Sequence, residues 1–118
     1  MRKKTTFRLF DVVWQVHIVE SSSSILNETD GTKCLGKCNF ARNEIHVADN
    51  LNETIFIRTL LHEITHIVIY QFLLGKENFS QEEICEFVAS YYDLIKDILN
   101  EIIYDFITAD ETPKEERI

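Results

Sequence analysis

The sequence predicts an α+β fold, a short antiparallel sheet of about three strands packed with two long helices. Three observations carry this. Apolar residues alternate with period two before residue 50, recur with a period near 3.6 from Asn52 onward, and restart behind a capping-box pattern at Ser80. A chain of 118 residues buries one core, roughly two-thirds of its unfolded surface, so a single domain is expected over 1–109 with a charged tail over 110–118.

The first strand signal is Val12-Val13-Trp14-Gln15-Val16-His17-Ile18-Val19, which alternates and is rich in β-branched residues. Residues 5–10 extend it or form another strand. Residues 21–31 are polar turn formers around Ile25 and Leu26 and read as a long, mobile loop. Residues 33–40 and 44–48 then read as a hairpin turning at Ala41-Arg42-Asn43, with Ile45 and Val47 inward. In the first helix Ile57, Leu60, Leu61, Ile64, Ile67, Val68 and Phe72 form a wide apolar stripe ending at Gly75. The second helix begins at Ser80 with Glu83 three residues on, and its stripe runs through Ile84, Phe87, Val88, Tyr91, Ile95, Ile98, Leu99, Ile102 and Phe106.

Twelve basic against twenty acidic side chains give a formal charge of −8, which argues against a nucleic-acid partner, because phosphate binding needs a Lys/Arg face. The longest apolar run, residues 67–74, is far shorter than the ~20 residues of a membrane helix, and the start lacks a signal-peptide pattern, so no membrane association and a cytoplasmic location are expected. Cys34, Cys38 and Cys85 cannot all pair within one chain and read as free thiols. The Cys34/Cys38 spacing is looser than a zinc knuckle, and a structural role is the plainer reading.

The chemistry sits in His62-Glu63-Ile64-Thr65-His66, an H-E-x-x-H motif on the first helix. Residues i and i+4 share one helix face, so both imidazoles can reach one metal ion. At this composition the pattern arises by chance in about one chain in seventy, and it falls where the chemistry needs it, on a helix. The plainer alternative is a pair of hydrogen-bonded core histidines. A catalytic zinc ion takes three protein ligands and keeps a fourth position open, so a third ligand is needed. Glu77, Glu82, Glu83 and Glu86 cluster at the start of the second helix. Glu83 has a task in the capping box, which leaves Glu82 as metal ligand and Glu86, one turn on, to orient a histidine. Glu83 stays open as the alternative ligand, and acids also favour the first helical turn for its dipole alone.

On Thr59-Leu60-Leu61-His62-Glu63-Ile64-Thr65-His66 and Ser80-Gln81-Glu82-Glu83-Ile84-Cys85-Glu86-Phe87-Val88-Ala89, the chain resembles zincin-like metallopeptidases of the gluzincin pattern. It looks most like the compact forms encoded by phages, prophages and bacteria, over about residues 37–100. The resemblance implies one zinc ion held by His62, His66 and Glu82, with Glu63 as general base and a peptide or protein as substrate. It also implies an acid one turn after the ligand glutamate, which is Glu86. Larger members add a second domain that supplies a transition-state His or Tyr. The local candidates here are His17, His46, Arg42, Tyr70 and Tyr92, each of which also has a plain structural reading. The strand over residues 44–48 is expected to grip an extended peptide by edge addition.

The expected function is therefore a small zinc-dependent metallopeptidase. The alternative is a catalytically weak or inactive zinc-stabilised module that binds a partner protein. Substrate and oligomeric state are open at this level.

Overall fold

A computed structural model describes residues 3–73 and 76–108. The elements run β1 (Lys4–Leu9), β2 (Val12–Val19), a 3-10 turn (Ser24–Leu26), β3 (Gly36–Asn39), β4 (Glu44–Ala48), α1 (Glu53–Leu73) and α2 (Gln81–Thr108). The fold is α+β: a four-stranded sheet with both helices on one face. The expected tail and the Gly75 helix stop lie outside the described residues.

The sheet order is β1-β2-β4-β3. β1 is a strand of its own and forms an antiparallel hairpin with β2, tightened by Phe10 in the left-handed region at φ 54°. The β3–β4 hairpin turns at Asn43 with φ 55°, and the Asn39 side chain accepts the Ala41 and Arg42 amides at 3.0 and 3.1 Å. The sheet is mixed, because β4 lies between β2 and β3 and pairs with β2 in parallel. That corrects the edge-addition expectation: β4 is interior, its partners are taken on both sides, and β3 is the terminal strand.

Alternation puts Thr5, Phe7, Leu9, Trp14, Val16, Ile18, Ile45 and Val47 on the helix-facing side. They pack against Leu60, Ile64, Ile67 and Val68 of α1 and Ile95, Ile98, Ile102 and Phe106 of α2. Each such side chain contributes roughly 1.5–3 kcal/mol relative to an exposed one. A buried bond from Thr5 Oγ1 to Asp105 Oδ2, 3.1 Å, ties β1 to α2.

Asn52 caps α1 through its side-chain oxygen, which accepts the Ile55 amide at 2.9 Å. The capping box of α2 is formed in both directions, Glu83 N to Ser80 Oγ at 3.2 Å and Ser80 N to Glu83 Oε1 at 3.0 Å. Glu83 also pairs with Lys76, and together these bonds hold its carboxyl down at about 2. The stripe of α2 is buried only from its middle onward: Ile84 and Val88 are exposed, because the first turns of α2 extend past the sheet and most of α1.

The long loop after β2 is tied to the sheet. Leu26 is fully buried, and Lys33 Nζ donates to the carbonyls of Ser22 and Ser23 and to Asn27 Oδ1. Its 3-10 turn packs against β3 and β4. Among the described residues, no helix is long and apolar enough to cross a membrane.

Candidate metal centre on helix α1

α1 carries His62, Glu63 and His66 past the terminal strand β3. The i,i+4 spacing brings His62 Nε2 and His66 Nε2 within 3.1 Å of each other. Two nitrogens bound to one tetrahedral zinc at 2.0–2.1 Å stand about 3.3 Å apart, so this separation fits a shared ion. Both imidazoles are exposed, His62 by 67%, so they are not the pair of core histidines of the plainer alternative. They sit at the margin of the helix stripe and are open to an incoming ligand.

Glu63 is the buried member, 6% exposed, and turns under β3. Gly36 makes this possible: a Cβ there would stand 2.6 Å from Thr59 Cγ2 and 3.3 Å from Glu63 Cγ, so only glycine lets strand and helix approach so closely. The Cys38 thiol lies 3.3 Å from Glu63 Oε1 and donates to it, while Glu63 Oε2 stays 4.0 Å from His62 Nε2. Burial and the neighbouring Glu63 carboxylate push the Cys38 thiol far up, so it remains a protonated donor. One carboxylate oxygen is thus anchored and the other faces the histidine pair.

The groove beside these residues has a volume of about 340 Å³ and is lined by Glu28, Cys34, Gly36, Lys37, Cys38, Phe40, His62, Glu63 and His66. A second cavity of about 420 Å³ adjoins it, sharing Cys34, Gly36, His62 and Glu63 and continuing to Arg58. Within the groove Cys34 donates to Glu28 Oε1 at 2.7 Å, and that bond raises the Cys34 thiol above its usual range. Tyr70, one turn beyond His66, stacks on Phe40 at 4.5 Å and flanks the groove.

Glu82 does not join the histidines. α1 and α2 run antiparallel, with Phe56 against Phe106 and Phe72 against Tyr91. His66 is therefore level with about residue 96, and Glu82 stands roughly 14 residues further up α2, on the order of 20 Å away at 1.5 Å per residue. Glu83 is engaged in the cap, and Glu86 accepts from Ser90 Oγ at 3.2 Å rather than from a histidine. Tyr92 is exposed, with Lys96 over its ring.

The chain matches no protein family, no curated protein and no solved structure. The assignment of chemistry to this groove therefore stands on the geometry just described.

His17 and His46 lie away from the groove, on the opposite face of the sheet, so they do not serve as its transition-state groups. There they meet Glu44. The ligand atoms of His17, Glu44 and His46 all lie within 4.8 Å of one another; among the described residues no third His, Cys, Asp or Glu donor comes this close to both His62 and His66. Burial holds both imidazoles below their usual range, against the nearby Glu44 carboxylate, which favours the charged form. Arg42 joins this second cluster, its Nε 3.5 Å from Glu44 Oε1.

Sequence reasoning missed Glu28, the positioning thiol Cys38 and the His17–Glu44–His46 cluster. For Cys38 a signal was present: Cys34-x-x-x-Cys38 and His62-x-x-x-His66 are two spaced donor pairs, and both line one groove. For the cluster the signal is like-parity polar residues on two strands, which becomes readable only with the β2–β4 register.

Proposed function

We propose that the α1–β3 groove is the active site of a small zinc-dependent metallopeptidase of the zincin-like kind. The observation that carries this reading is the 3.1 Å approach of His62 Nε2 and His66 Nε2 beside a buried glutamate with one oxygen anchored and one free. His62 and His66 would hold the ion. Glu28, the carboxylate that shares their groove and accepts from Cys34, would turn toward the pair to supply the third ligand in place of Glu82. A zinc ion there supplies Lewis-acid polarisation of a peptide carbonyl and lowers the pKa of water toward ~7.

The chain's own groups do the rest. Glu63 accepts the proton of the attacking water and passes it to the leaving amine. The Cys38 thiol fixes the carboxylate for that transfer by holding Oε1. β3, as the terminal strand beside the groove, is the element along which an extended peptide would lie, with backbone bonds giving grip and little sequence preference.

The test is the Glu63→Gln protein. It should bind zinc as the parent does and lose hydrolysis of an unfolded protein; hydrolysis at the parent rate removes Glu63 as the base.

One observation favours the alternative of a zinc-stabilised binding module. Cys34, Cys38, His62 and His66 line the same groove, and two thiolates with two imidazoles make a closed structural zinc site with no open position. Cobalt substitution separates the two. Thiolate ligation gives an intense near-ultraviolet charge-transfer band, whereas a His, His and carboxylate set gives none.

A further inference from the structure

The second polar cluster lies on the sheet face turned away from both helices. The parallel register places His17 directly beside His46 and Gln15 beside Glu44, so all four side chains point to one side. The two imidazoles stack at 4.9 Å with an interplanar angle of 11°. Between them Glu44 offers one oxygen to each: Oε2 is 4.0 Å from His17 Nε2 and Oε1 is 3.8 Å from His46 Nε2. The donors are withdrawn from solvent, with side-chain exposures of 23% for His17, 15% for Glu44 and 10% for His46. They line a cavity of about 660 Å³ whose apolar walls include Val19, Ile25 and Phe40.

Three other charges stand near: Lys4, the cross-strand neighbour of His17 on β1, opposes the charged form of that imidazole. Lys37 is drawn off to the Asn27 carbonyl at 2.9 Å, and Arg42 approaches Glu44 Oε1 from a largely exposed position. Gln15 Oε1 lies 3.0 Å from His17 Nε2, within reach of a fourth ligand position.

We propose that His17, Glu44 and His46 form a second divalent-metal site that takes a borderline transition-metal ion, zinc or a chemically similar cation, and clamps β2 to β4. Two imidazoles and one carboxylate are the donor set of such ions, whereas calcium and magnesium prefer oxygen alone. The two histidine–glutamate gaps, 3.8 and 4.0 Å, exceed the ligand–ligand edges of a bound site by roughly 0.5–0.7 Å, and all three donors lie within 4.8 Å of one another, so side-chain rotations would close the set on an ion. Its three donors are distinct from those of the α1 centre, although the two cavities meet at β3 and share Lys37, Cys38 and Phe40.

The experiment uses untagged full-length protein stripped with chelator and titrated with zinc or cobalt, comparing wild type with His62→Ala/His66→Ala and with Glu44→Gln. The His62→Ala/His66→Ala protein should bind one ion per chain. In nuclear magnetic resonance, one equivalent of zinc should shift the His17 and His46 ring signals together, and its Tm should rise with zinc. Adding Glu44→Gln should weaken that binding at least tenfold and abolish the rise in Tm. Glu44 lies at the cavity wall, and circular dichroism checks that this variant folds. A folded His62→Ala/His66→Ala protein that binds no ion, or whose bound zinc leaves the His17 and His46 signals unmoved, overturns the proposal. Failure of the α1 reading shows separately, as a Glu44→Gln protein that binds no metal while folded.

Discussion

The two histidine pairs differ in how the chain brings them together. His62 and His66 lie on one helix and meet because four residues advance one turn; they are exposed, and only their Glu63 neighbour is buried. His17 and His46 come from strands 29 residues apart, meet through the parallel register of β2 and β4, and sit largely buried with Glu44 between them. The first arrangement is open to a bulky substrate along a groove. The second is drawn back from solvent beside a cavity of about 660 Å³ between the sheet and the loop after β2, a setting that can hold an ion. Local spacing and long-range register can build similar donor sets with different access.

The sharpest break in this comparison is Glu63→Gln. Hydrolysis should fall by about 10²- to 10⁴-fold, the usual worth of a positioned base, with metal content unchanged. The Glu44→Gln protein, assayed alongside, should keep its hydrolysis. A steady-state assay on an unfolded protein substrate reads both.

Next in size is the third ligand. Glu28→Gln should weaken zinc binding at the α1 centre by about 100-fold or more, whereas Glu82→Gln should leave it unchanged, measured by competition with a chromophoric chelator. The reverse ranking would mean that α2 shifts along α1 when metal binds.

Gly36→Ala comes third. The added methyl meets Thr59 Cγ2 at 2.6 Å and should cost about 1–3 kcal/mol in denaturant unfolding. It should disturb the α1 groove and leave zinc binding at His17, Glu44 and His46 intact, which sharpens the contrast between the two faces.

The smallest effect concerns Glu83. Its carboxyl is held down at about 2 by Lys76 and Ser80, so its contribution is present above the ordinary carboxylate range and lost as pH falls toward 2. Glu83→Gln should lower Tm slightly at neutral pH, and the difference from the parent should vanish near pH 2.

The same division between local and long-range geometry explains what was legible in the sequence. The helix bearing His62 and His66, the capping box of Ser80 and Glu83, and the hairpin turning near Asn43 all follow from residues within a few positions of one another, and all are present. The separate strand β1, the parallel β2–β4 pairing and the interior place of β4 depend on partners far along the chain, and the pattern of alternation is silent on them. Glu82 shows the point most clearly. Its spacing from His66 suits a ligand, yet the level at which α2 passes α1 is set by Phe72 against Tyr91 and Phe56 against Phe106, and that packing carries Glu82 well past the histidines. Ile84 and Val88 are exposed for the same reason.

The most direct measurement is a crystal structure of the zinc-loaded protein with anomalous data collected at the zinc edge. The account predicts one anomalous peak bonded to both His62 Nε2 and His66 Nε2 at about 2.0–2.1 Å, with the Glu28 carboxylate completing the protein ligands. A zinc-saturated crystal with no peak between the two imidazoles, or one in which both rings turn away from any ion, would contradict it.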